Sequence, residues 1–151
     1  MRILFLCLGN ICRSPAAEAV FRKLAAQAGL AVEIDSAGTG DWHEGEAPYP
    51  PMQRAARARG YELSALRARQ IVREDFTRFD LILAMDAQNL AEAKRSAPEG
   101  ATARIELFLT GESGRREVPD PYFTRDFDTC LDIIEAGAQA LTERLSPQFR
   151  Q

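Results

Sequence analysis

Apolar residues fall in short blocks along this chain, separated by stretches with a helical rhythm. Residues 2–6, Arg-Ile-Leu-Phe-Leu, read as a short and fully buried strand. Over residues 16–29, Ala17, Phe21, Leu24 and Ala28 recur at helical spacing, with Ser14 as the expected N-cap, Pro15 as the first helical residue and Gly29 as the stop. Residues 32–34 form a second strand candidate. Residues 36–51 then read as loop, and its Trp42, His43 and Tyr49 are placed to cover a ligand pocket. A short helix is expected over residues 53–59, a buried strand over 79–84, and a second short helix ending at Lys94 after the polar run from Met85 to Asn89. Residues 104–109 form the fourth strand candidate. Phe127, Leu131, Ile134, Ala138, Leu141 and Leu145 trace one face of a long C-terminal helix, with Cys130 beside the stripe.

Strands alternating with helices favour an α/β fold, here a three-layer sandwich around a small, predominantly parallel four-stranded sheet. A length of 151 residues suits a single domain over residues 1–151. In such a sheet the loops leaving the strand C-termini gather at one edge. The loop after Leu6 and the loop after Phe108 can therefore share a site despite their separation in sequence.

Composition narrows the partners. A hydrophobic fraction of 46% with 27% charged residues fits a soluble globular protein. The formal charge of -3 offers no broad basic face for nucleic acid, and the apolar opening is too short to span a bilayer or to serve as an export signal. Three cysteines are an odd number for a disulfide framework, and Cys7 and Cys12 lack C-x-x-C spacing, so reduced thiols in the cytoplasm are expected. One histidine and scattered thiols argue against a metal site. Nothing in the sequence sets an oligomeric state.

The stretch Cys7-Leu-Gly-Asn-Ile-Cys-Arg-Ser-Pro15 carries the chemistry. Five residues between Cys7 and Arg13 are enough to curl backbone amides around an anion, with a thiol below it and a guanidinium at its rim. The helix that follows adds its N-terminal dipole and unpaired amides. Phosphate fits such a cradle, because its oxygens accept convergent amides and a bidentate arginine. Cys7 is the candidate nucleophile, its thiolate favoured by cradle, dipole and Arg13, and Ser14 can donate a hydrogen bond to the sulfur. Gly9 permits an unusual loop dihedral, Asn10 supports the cradle with side-chain hydrogen bonds, and Cys12 can close a reversible disulfide with Cys7 under oxidation. The competing reading makes Cys7 a strand-end packing residue and Arg13 a surface residue at a helix start. A Walker A loop is excluded by the missing Gly-Lys-Ser/Thr.

Phosphoryl transfer also needs a proton donor for the leaving oxygen. Asp120, held between prolines in Val118-Pro-Asp-Pro-Tyr-Phe123, is the candidate acid. Tyr122, Phe123 and Trp42 can line an apolar slot for a phenyl ring, with ordinary packing as the alternative. Asp86 and Asn89 read as cap or loop residues.

These residues resemble the low-molecular-weight protein tyrosine phosphatase family, through Cys7 to Pro15 and Asp120-Pro-Tyr122, and further through Ser36-Ala-Gly-Thr39, Trp42, Arg67-Ala-Arg-Gln70 and Met85-Asp86. The resemblance implies hydrolysis of phosphotyrosine in proteins through a phosphocysteine intermediate. It implies Cys7 as nucleophile, Arg13 as phosphate clamp, Asp120 as general acid and then base, and Ser14 and Asn10 as supports. Leu8, Gly9, Asn10, Ile11, Cys12 and Arg13 would offer amides to the phosphoryl oxygens, with no metal or organic cofactor. A bacterial autophosphorylating tyrosine kinase is a partner implied by the same resemblance.

Related activities are set apart by single residues. Arsenate reductases of similar fold use a cysteine relay, for which only Cys130 remains beyond the opening pair. Protein-arginine phosphatases characteristically carry threonine where this chain has Ile11, whose bulk favours an aromatic ester. A binding module without turnover would lose the nucleophile or the acid, and both are present. Leu66 stands where many resembling enzymes have histidine, so Asn10 needs another partner or the loop loosens. Phe123 replaces a second tyrosine, which removes a hydroxyl that could hydrogen-bond or be modified.

Overall fold

In the computed structural model, which describes residues 1–111 and 114–146, β1 (Arg2–Cys7) lies between β2 (Glu33–Gly38) and β3 (Leu81–Ala84). β4 (Arg104–Leu107) completes the order β2-β1-β3-β4, and every neighbouring pair is parallel. Residues 112–113 and 147–151, included in the single-domain expectation, lie outside the described residues. Alternation along β1 splits the core. Ile3, Phe5 and Cys7 join one cluster with Val20 and Phe21 of α1 (Arg13–Gln27) and Leu131, Ile134 and Ala138 of α6 (Phe127–Leu145). Leu4 and Leu6 join the other, with Phe76 of α3 (Asp75–Arg78) and Ala93 of α4 (Ala87–Ser96). A strand covered on both faces needs apolar residues at every position, which is why β1 reads as an unbroken run. Phe5 fixes the larger cluster with edge-on contacts to Phe21 and Phe108, at centroid distances of 5.8 and 5.5 Å.

Two further short helices, α2 (Pro50–Arg57) and α5 (Pro121–Thr124), complete the elements among the described residues. The stop at Gly29 is a Schellman turn: Gly29 has φ +70°, and the Leu30 amide reaches back to Ala25 O at 2.9 Å. Among the described residues no helix is long and apolar enough to cross a membrane.

Several expected boundaries move. α1 begins at Arg13 with Cys12 as its cap residue, so Ser14 is not the N-cap and Pro15 is the third helical residue. The Ser14 hydroxyl is turned instead toward Cys7 and Asn10. Ala28 follows the last helical turn and is exposed. β2 continues through Ser36, Ala37 and Gly38, expected as loop, because β1 runs beside them to the pairing of Cys7 with Gly38. α2 starts three residues earlier than expected, on the proline pair that suits a first helical turn. β3 starts at Leu81 because Phe79 ends α3, and β4 stops at Leu107, leaving Phe108 and Leu109 buried beyond the sheet.

Candidate active site

The parallel register brings the C-terminal ends of β1 and β2 to one edge, and the loop after Cys7 curls there before α1 begins. Its geometry is locked by three backbone bonds from two other segments. Thr39 N donates to Cys7 O at 2.9 Å, Gly40 N to Leu8 O at 3.0 Å, and Tyr49 N to Ile11 O at 2.8 Å. The left-handed backbone falls on Asn10 (φ 57°), not on Gly9 as expected. Asparagine tolerates that region, and this one is held there by three side-chain bonds. Asn10 Oδ1 accepts from the Arg69 amide at 3.0 Å, while Nδ2 donates to Ser14 Oγ at 2.8 Å and Ser36 Oγ at 3.0 Å. Gly9 serves close approach instead, since a Cβ there would meet His43 Cδ2 at 3.0 Å.

These bonds leave the Cys7 sulfur at the base of the loop. Ser14 Oγ lies 3.0 Å from Sγ, and the Asn10 amide donates to Sγ at 3.3 Å. Ala16 N is the first amide of α1 with a helical acceptor, Cys12 O at 3.2 Å, so the Arg13 and Ser14 amides ahead of it have none within the helix. A loop ending in such amides is an anion receptor.

Arg13 is almost fully buried, and its guanidinium is held by groups far away in sequence. Nη1 donates to Asp86 Oδ2 at 2.7 Å and to Val118 O at 2.9 Å, and Nη2 lies 3.4 Å from Asp120 Oδ2. Burial works against its charge, but the Cys7 sulfur, the Asp86 hydrogen bond and Asp120 outweigh it and raise its pKa above the ordinary value. Asp86 sits at the end of β3 and caps α4 with its other oxygen, accepting from Asn89 N at 2.8 Å. The expected cap role is therefore present, and the ion pair with Arg13 is an additional one. Its signal in the sequence is position, an acidic residue immediately after a buried strand of a parallel sheet.

Asp120 caps the single turn of α5, its Oδ1 accepting from Tyr122 N at 3.0 Å. With Cys7, Leu8, Gly9, Ile11, Cys12, Arg13, Trp42, His43, Tyr122 and Phe123 it surrounds a cavity of about 210 Å³. An apolar cavity of about 150 Å³ accepts benzene, so a phenyl ring fits here. Trp42 and Phe123 stand exposed at the rim, at 67% and 72%. Tyr49, expected over the pocket, packs against Tyr122 with the rings tilted and their centroids 5.3 Å apart, and does not line it. Asn10 and Ser14 also lie behind the lining, as supports. His43 reaches the wall with Nδ1 2.8 Å from Glu46 Oε2.

All three cysteines are free and buried. Burial, followed by the neighbouring Cys7 and Asp120, pushes the Cys12 thiol well above its ordinary range. Burial likewise pushes Cys130, which shares the larger core cluster with Cys7 and Cys12, up to about 12.

A thiol at the floor of an amide-rich anion loop, with an acid facing it across an aryl-sized slot, is the equipment of a cysteine-dependent phosphohydrolase. The model of the low molecular weight phosphotyrosine protein phosphatases matches residues 2–151, and the chain belongs to that family. It is 42% identical to the low molecular weight protein-tyrosine-phosphatase YfkJ of Bacillus subtilis over 92% of each chain. It is 44% identical to a low molecular weight protein-tyrosine-phosphatase of Streptomyces coelicolor, over 97% of this chain and 94% of the relative. The crystal structure of YfkJ superposes with a TM-score of 0.92, covering 100% of this chain and 97% of that one at 39% identity. A protein tyrosine phosphatase from Entamoeba histolytica with Hepes in its active site superposes at 0.89, with 38% identity and 96% of each chain covered.

Proposed function

We propose that Cys7, Arg13 and Asp120 perform the hydrolysis of phosphotyrosine in proteins through a phosphocysteine intermediate. The observation that carries this assignment is the meeting of the three side chains on one cavity, from the end of β1, the start of α1 and the cap of α5. The Cys7 thiolate attacks phosphorus in line. The P–O bond to the tyrosyl ring breaks, and Asp120 delivers its proton to the departing phenolic oxygen. Asp120, now a carboxylate, takes a proton from water as that water attacks phosphorus. The P–S bond breaks, the thiolate is restored and inorganic phosphate leaves. Arg13 and the amides of residues 8–13 bind the equatorial oxygens, whose charge is held through both steps. Ser14 donates to the sulfur, which favours it as a leaving group in the second step.

Ile11, Trp42, Tyr122 and Phe123 form the slot for the ring, and the apolar Ile11 supports an aryl ester over phosphoarginine. Turnover needs a reduced Cys7, which places the reaction in a reducing compartment such as the cytoplasm. An autophosphorylating bacterial tyrosine kinase is the partner we assign by family resemblance.

Phosphate release from matched phosphotyrosine, phosphoserine and phosphoarginine peptides tests the reading, with Cys7→Ser alongside. Phosphotyrosine is the preferred substrate, and Cys7→Ser binds phosphate without turning over. Exclusive cleavage of phosphoarginine would reverse the specificity. Binding without turnover by the unmodified chain would make it a recognition module, and turnover by Cys7→Ser would remove the nucleophile.

A further inference from the structure

Glu18, in the second turn of α1, has a side chain only 5% exposed and both carboxylate oxygens engaged. Oε1 accepts from Ser36 Oγ at 2.6 Å and Oε2 from Arg22 Nη2 at 2.8 Å. Ser36 also meets Asn10 Nδ2, which bonds Ser14, which touches the Cys7 sulfur. A continuous chain of hydrogen bonds therefore runs from Glu18 to the sulfur.

The donors in this chain have one consistent direction. The Arg69 amide can only donate, so Asn10 turns its oxygen to it and its NH₂ to the two serines. The guanidinium of Arg69 is itself clamped, by Asp35 at 3.1 Å and Asp75 at 2.9 Å. Ser36 Oγ accepts from Asn10, so its own hydrogen goes to Glu18. Ser14 Oγ accepts from Asn10 as well, which leaves its hydrogen for Cys7 Sγ or for the longer contact to Ala37 O at 3.4 Å.

We propose that Glu18 is a positioning residue for phosphate-ester hydrolysis, acting through Ser36, Asn10 and Ser14 to hold a hydroxyl hydrogen on the Cys7 sulfur. The inference rests on Cys7 being the nucleophile. Both neighbours of Glu18 are donors, and a carboxylate is the side chain that offers each of them an accepting oxygen. Glutamine at this position must set its NH₂ against Arg22 or against Ser36. In the second arrangement Ser36 receives two donors and loses the acceptor for its own hydrogen, and the chain slackens up to Ser14. The same network answers the departure at Leu66. Asn10 takes its partners from the Arg69 amide and from Ser36, and Leu66 packs against the larger core cluster.

The test is the pH profile of Cys7 alkylation by iodoacetamide, located by mass spectrometry, in wild type, Glu18→Gln and Glu18→Gln/Arg22→Ala. The ionisable groups around the sulfur, Arg13, Asp120, Cys12 and Cys130, are the same in all three. The acidic limb is expected to move up by about one to two units in Glu18→Gln, the scale of one hydrogen bond to a charged group. Removing Arg22, which is half exposed, lets the introduced glutamine turn its NH₂ to water and its oxygen to Ser36, so the double variant moves the limb back toward wild type. A general loss of stability would not be rescued by deleting a second partner. A Glu18→Gln profile that overlays wild type, or an uncorrected shift in the double variant, overturns the proposal. If Glu18→Gln does not fold, Ser36→Ala cuts the same link and must show the same shift, and an unmoved limb overturns the proposal there too. Alkylation of wild-type Cys7 that leaves turnover intact would instead sink the nucleophile assignment.

Discussion

Arg13 Nη1 and Asp86 Oδ2 are 2.7 Å apart although 73 residues separate them, and the arginine side chain is only 3% exposed. A phosphate clamp needs its guanidinium fixed before the anion arrives, because a free arginine would lose rotamer entropy on binding. Asp86→Asn keeps the oxygen that caps α4 and removes the charge on the other side. Phosphate inhibition and kcat/KM are expected to weaken roughly tenfold, as for one hydrogen bond between charged groups, with a melting temperature near wild type. Unchanged phosphate affinity would show that Val118 O and Asp120 suffice to orient Arg13.

Asn10 separates backbone strain from hydrogen bonding. Asn10→Ala loses three side-chain bonds and leaves a residue with a Cβ at φ 57°. Asn10→Gly loses the same bonds without the strain. Glycine is therefore expected to melt higher than alanine, by roughly 1 kcal/mol of stability. Both variants are expected to lose most turnover. If the two melted alike, the left-handed backbone would carry no measurable cost.

Gly38 couples β2 to the anion loop. A Cβ there would sit 2.8 Å from Leu8 O and 3.2 Å from Asn10 N, both backbone atoms of the loop. Gly38→Ala must displace that backbone, at a cost of about 1–3 kcal/mol for overpacking. Turnover is expected to fall together with stability, since the displaced backbone belongs to the loop proposed to bind phosphate and includes the Asn10 amide that donates to the Cys7 sulfur. A variant that lost stability with its kcat unchanged would show that the loop absorbs the shift away from Cys7.

Legibility in the sequence follows apolar content. The runs that form β1, β3 and β4, and the stripe of α6, are continuous or periodic in large apolar residues, and each is predicted within a few residues of its true bounds. The C-terminal half of β2 escapes prediction because Ser36, Ala37 and Gly38 are small. They are buried by the fold around this edge strand, with β1 alongside, and not by their own bulk. The single-turn helices α3 and α5 are four residues each, too short to show a period. Cys7, Arg13 and Asp120 are legible because their residue types announce a chemistry. Glu18, Ser36 and Arg69 carry common side chains whose contacts come from the fold alone.

The buried thiols give a pH prediction. Near neutral pH, iodoacetamide is expected to modify Cys7 in the native protein, and all three cysteines only after denaturation. Cys130 is held protonated by burial, its folded value pushed from 9.0 up to about 12. A folded value above the unfolded one stabilises the protonated form, so this contribution is complete below pH 9 and is lost as pH rises toward 12. Unfolding by denaturant at rising pH checks it: stability falls across that window, and less steeply in Cys130→Ala. Labelling of native Cys130 at neutral pH would mean that the helix opens over it.

Asp120 is a cap and the proposed acid, and the two roles can be separated. Asparagine keeps an oxygen for the Tyr122 amide, so α5 and the aromatic wall it carries stay in place. What it cannot do is give up a proton to the leaving oxygen. Phenols that leave readily need little help, whereas poor leaving groups need the proton in the transition state. Asp120→Asn is therefore expected to slow hydrolysis by about 10²-fold or more for poor leaving groups and much less for activated aryl phosphates. The slope of log kcat/KM against leaving-group pKa steepens accordingly. Parallel slopes for wild type and variant would confine Asp120 to its contacts with Tyr122 and Arg13, and the proton would have to come from elsewhere on the cavity wall.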